Sequence, residues 1–214
     1  MVAISITKRM IVYISGLFLL ALGVAFSIKS GLGVSPVSSF PYALSLVLER
    51  DVGLMSTMVF AFYVLIQIIL LRRNFKLKNL LQLAVASMFG FFVSISMAMI
   101  MPLNPDGYPS RLAFLVISLF LISAGILFYL TANIVPMPPE GMVLAIQKTT
   151  GIPFSKVKIL FDSTSVLLAA VLLLGFIGNL QGLREGTLLA ALGVGHLIGF
   201  LTKWLRPALI AFIE

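Results

Sequence analysis

The chain has 214 residues, of which 60% are hydrophobic and 10% charged, with a formal net charge of +8. A soluble domain is about 45–50% apolar and about 25% charged, so this composition excludes an ordinary soluble fold. Fifteen Lys and Arg against seven acids would suggest nucleic acid in a soluble protein. On so apolar a chain the excess belongs to the bilayer, and no nucleic-acid partner is expected.

Apolar runs fall at roughly 10–29, 54–71, 80–101, 112–131, 159–178 and 187–202, the last continuing past Lys203. A span needs about 20 residues, so six of them leave room only for connections, and a single membrane domain over 1–214 is expected. The first run follows Lys8 and Arg9 as a signal peptide would, but it is as long as a true span and lacks a small-x-small cleavage site. It is read as a retained first helix. Placing the N-terminus in the cytoplasm puts eleven of the fifteen basic residues inside, the cluster Arg72, Arg73, Lys76 and Lys78 foremost. Only Lys29, Arg50, Arg111 and Arg184 then fall outside. The expectation is a multi-pass protein of the bacterial inner membrane with both termini cytoplasmic.

The two halves resemble each other. Residues 17–26 (LFLLALGVAF) align without gaps on 119–128 (LFLISAGILF), and at the same offset Pro36 falls on Pro138 and Val37-Ser38-Ser39 on Pro139-Glu140-Gly141. Ala86-x-x-x-Gly90 lines up with Gly195-x-x-x-Gly199. Each repeat, about 10–101 and about 112–210, holds three spans. An odd number inverts the second against the first, the architecture of many secondary transporters, whose substrate sites lie at the repeat interface. The expected fold is therefore all-α and polytopic: six transmembrane helices as two inverted three-helix repeats.

Between the first and second span of each repeat lies an apolar stretch too short to span. The first carries Gly31 and Gly33, then Ser35 as N-cap and Pro36 as first helical residue; the second carries Asn133, Pro136, Pro138, Pro139, Glu140 and Gly141. Each predicts a short helix, re-entrant or interfacial. A re-entrant start aims its N-terminal amides into the protein, where they suit anions.

Gly31-x-Gly33-x-x-Pro36 after a first span, the repeated three-span layout and Pro139-Glu140-Gly141 resemble the YczE/YitT-like bacterial inner-membrane proteins. The resemblance implies an inverted-repeat membrane protein with a transport function and names no substrate. Where that family often has Trp-Asp after the first-repeat proline, this chain has Val37-Ser38.

Ionisable residues within spans are candidates for function because each costs at least about 2.5–3.5 kcal/mol at mid-bilayer. Asp162 is the foremost, for substrate or proton binding; its structural alternative is a local pair with Lys158 at i+4 spacing. Glu140, in the first turn of the second short helix, either binds substrate or proton or complements the helix dipole. His196 is either a proton relay or a hydrogen bond between helices. Ser35, Ser38 and Asn133 are candidate polar contacts for a substrate and Tyr42 an aromatic wall. The two small-x-x-x-small pairs could serve a homodimer or close the monomer.

There is no cysteine and one histidine, and no nucleophile motif or phosphate loop, so no enzyme activity, metal or cofactor is expected. The sequence thus points to a small secondary transporter of a small-molecule or ion substrate. Its alternative is a non-transporting subunit or accessory of a larger membrane complex.

Overall fold

A computed structural model describes residues 2–213. Among them are eight α-helices and no strand: α1 (Val2–Ser30), α2 (Pro36–Val47), α3 (Val52–Leu71), α4 (Leu81–Ile100), α5 (Gly107–Ala132), α6 (Pro138–Thr150), α7 (Phe154–Phe176) and α8 (Glu185–Ile213). Six of them (α1, α3, α4, α5, α7 and α8) are long and apolar enough to cross a membrane. This is the architecture of a multi-pass membrane protein. Turn chemistry sets the helix boundaries. α2 and α6 begin at Pro36 and Pro138, as the sequence predicts, and α3 is capped by the Asp51 carboxylate, which accepts from Leu54 N at 2.8 Å. α5 ends on Asn133, whose left-handed backbone (φ 51°, ψ 49°) closes the helix.

The helices fall into two compact units, each assembled from both halves of the sequence. The first contains α1, α5 and α8 with the second half of α4. Its backbone is the antiparallel crossing of α1 and α5, where glycines allow the chains to approach within van der Waals distance. A Cβ at Gly125 would lie 2.5 Å from Leu20 N, one at Gly23 would lie 2.8 Å from Ile122 N, and one at Gly16 would meet Tyr129 N at 2.6 Å. Edge-on rings, Tyr13 against Tyr129 and Phe18 against Phe92, fill the flanks. The turn after α1 is tied to the start of α8: Val34 N donates to Gly182 O at 2.9 Å and Gly186 N to Leu32 O at 2.8 Å. Gly33, at φ 135°, sits so close to Thr187 that any side chain there would collide with it.

The second unit contains α2, α3, α6, α7 and the first half of α4. Here α2 packs on α7 and α3, while α6 packs on α3 and α7. Both short helices are largely buried, α2 through Pro36, Ser38, Ser39, Tyr42 and Ala43 and α6 through Pro138, Pro139, Gly141, Met142 and Val143. Phe60 stacks on Phe89 between α3 and α4, and Gly90 rests against Gly53 and Thr57. The Ala86/Gly90 pair thus closes the chain on itself. A Cβ at Gly195 or Gly199 on α8 would meet nothing within 4 Å among the described residues.

Candidate functional site

The second unit holds a polar constellation inside otherwise apolar helices. Gln67 on α3 and Gln82 on α4 face each other as a cyclic amide pair: Gln67 Nε2 donates to Gln82 Oε1 at 3.0 Å, and Gln82 Nε2 to Gln67 Oε1 at 3.1 Å. Both are 1% exposed. The second hydrogen of Gln67 Nε2 goes to Pro138 O at 3.3 Å, fastening the start of α6 to α3. Gly141 lies directly on the pair, and a Cβ there would meet Gln82 Oε1 at 2.5 Å. Gly141 is therefore a clearance for two buried amides as well as a helix-start residue. Neither glutamine stands out in the sequence, where attention falls on ionisable groups. The available signal was a lone primary amide within each of two apolar runs.

Beside this pair opens a cleft of about 160 Å³, lined by Gln67, Gln82 and Gly141 at its base and by Asn79, Lys76 and Lys148 toward its mouth. Asn79 is half-buried and both lysines are exposed.

The sequence-derived candidates are placed as follows. Asp162 pairs with Lys158 at 2.7 Å one turn earlier, both side chains about a quarter exposed (26% and 27%). Tyr63 on α3 lies near Asp162 and Ser165, and its ring meets Phe161 edge-on at 5.2 Å. Tyr63 and Ser165 are thus polar neighbours of Asp162 that sequence reading did not single out. Glu140 is half-buried in the first turn of α6, with one carboxylate oxygen shielded from solvent. Ser38 and Tyr42 are buried in α2, and burial holds the Tyr42 phenol above its ordinary pKa, so it stays a neutral O–H. Asp162, Glu140, Ser38 and Tyr42 all belong to the second unit.

The other three candidates belong to the first unit. Ser35, half-buried, precedes α2; Asn133 is exposed and terminates α5. His196 is exposed on α8, its Nδ1 2.7 Å from Leu192 O. Lys29 reaches Met101 O at 3.0 Å from the end of α1. Gly31, at φ 65°, makes the turn that Gly33 then presses onto α8.

Helix starts are poor anion donors here. Pro138 and Pro139 have no N–H, and Gly141 N already donates to Met137 O at 2.8 Å, so the start of α6 is poor in backbone donors for an anion. Among the described residues there is no group of His, Cys, Asp or Glu able to hold a metal ion.

A family model matches residues 7–203. The chain belongs to the DUF6198 family, a family of unknown function. An uncharacterized protein of Haemophilus influenzae is 27% identical over 198 residues, an alignment covering 90% of this chain and 83% of that one. No solved structure matches. Neither the family nor this relative supplies an activity.

Proposed function

We propose that this DUF6198 protein is a small secondary transporter built from two inverted repeats, moving a small polar or charged solute across the bacterial inner membrane by alternating access. The observation that carries the reading is a reciprocal contact. Sequence alignment equates Gly23 with Gly125 and Leu20 with Ile122; at the α1–α5 crossing Gly23 meets Ile122 and Gly125 meets Leu20. Such an exchange of equivalents is what a two-fold relation produces. The antiparallel run of the two helices agrees with an inversion. α2 and α6, and likewise α3 and α7, also begin at one common sequence offset. In the second unit the packing of α2 on α7 has its counterpart in that of α3 on α6.

The inverted-repeat reading agrees with the likeness to YczE/YitT-like proteins. The burial of α2 and α6 favours re-entrant helices over helices lying on a lipid surface. In this account both termini are cytoplasmic, and Asp162 and Glu140 serve substrate binding or a coupling proton. The test is uptake of a panel of small charged solutes into proteoliposomes. Flux of at least one solute is expected, and it falls at least tenfold in Asp162→Asn and in Glu140→Gln. Unchanged flux in both variants removes the site assignment.

One feature favours a second reading, a non-transporting subunit of a larger complex. Little of the apolar stretch of α8 is buried, and a Cβ at Gly195 or Gly199 would meet nothing within 4 Å among the described residues. Copurification of a stoichiometric partner that is released by Gly195→Leu would support this alternative.

A further inference from the structure

We infer that the cleft between α3, α4 and α6 is an oxyanion-binding site, taking a phosphate group whether free or carried on a lipid. Its lining carries Lys76 and Lys148 and no acid, so its net charge is positive. Its base is polar although buried. Gln82 Nε2 spends one hydrogen on Gln67, and its second hydrogen finds no acceptor among the described residues. A buried amide N–H left over at the bottom of a cleft is a donor waiting for an acceptor, because leaving it unsatisfied is costly. Asn79 adds a second neutral amide part-way up the wall.

The volume, about 160 Å³, equals that of about five waters of liquid, enough for one phosphate group with a water or two. The absence of a side chain at Gly141 keeps the base open, since a methyl group there would cover the amides. The oxyanion would accept from Gln82 and Asn79 while the two ammonium groups close over it from the mouth. Because the lysines are exposed, binding weakens as salt rises. The site is separate from the Lys158–Asp162 pair and its occupancy can be read without any flux.

The experiment is calorimetric titration of inorganic phosphate into the full chain in phosphatidylcholine nanodiscs. Saturable binding to one site is expected, weakened at least tenfold in the Lys76→Gln/Lys148→Gln double variant. The double variant Lys203→Gln/Arg206→Gln removes the same charge from exposed positions on α8 and is expected to leave the affinity unchanged. Repeating the titration in discs containing phosphatidylglycerol separates the sources. Loss of the phosphate isotherm identifies a lipid headgroup as occupant, and an unchanged isotherm a free solute. Absence of saturable binding, or equal weakening in both double variants, overturns the proposal.

Discussion

Gln67 and Gln82 show how a residue that looks incidental in a sequence can organise a site. Each satisfies the other, and together they hold the first carbonyl of α6. Removing one partner leaves a buried amide unpaired, which costs about 1–3 kcal/mol in proteins at large and less where lipid-embedded alternatives exist. Gln67→Leu is therefore expected to lower the thermal midpoint in detergent by an amount equivalent to about 1 kcal/mol. The Gln67→Leu/Gln82→Leu double variant should recover much of that loss, because no orphan amide remains. Equal, additive losses would argue against the pairing.

Asp162 behaves differently. The Lys158–Asp162 pair is made within one helix, at i,i+4 spacing, and ties no other element to α7. Asp162→Asn should thus leave the thermal midpoint nearly unchanged while abolishing flux; a large loss of stability would make its role structural. The candidate site was legible in the sequence only where charge marked it. Asp162 and Glu140 are conspicuous in apolar runs, whereas the glutamines lie fifteen positions apart and acquire meaning only when α3 and α4 fold against each other.

At the scale of helices, the spans and the starts of the short helices could be read directly, because hydropathy fixes the first and proline the second. What could not be read was which small residues pack. The sequence offers Ala86/Gly90 and Gly195/Gly199 as equivalent motifs, yet Gly90 abuts Gly53 and Thr57 while a Cβ at either α8 glycine would meet nothing within 4 Å among the described residues. The deciding factor is the partner surface, which a motif does not contain. The α1–α5 crossing is made by Gly16 and Gly23, about two helical turns apart on α1, and by Gly125 on α5. Gly125→Ala drives a methyl group into the backbone of Leu20, with an expected cost of about 1–3 kcal/mol. Gly199→Ala should be neutral to within about 0.5 kcal/mol. Chemical denaturation in mixed micelles measures both, and similar effects at the two positions would contradict the packing described.

For the whole molecule, the proposed repeat rests on a register of Gly and Pro between the halves, while the grouping of helices is not legible in the sequence. Each compact unit draws elements from both halves, α1 with α5 and α2 with α7, because contacts form between helices far apart in the chain. Inversion is the property on which alternating access depends: two equivalent elements must open to opposite sides. The chain lacks cysteine, so single reporters can be introduced without any background. Glu49 follows α2 and Thr150 ends α6, and both are exposed. The most direct measurement is labelling of Glu49→Cys and Thr150→Cys in intact cells and in inverted membrane vesicles with a membrane-impermeant maleimide. Labelling of Glu49→Cys only from outside and of Thr150→Cys only from the cytoplasmic face is the predicted result. Labelling of both from one face would contradict the inverted repeat and the transport mechanism that rests on it.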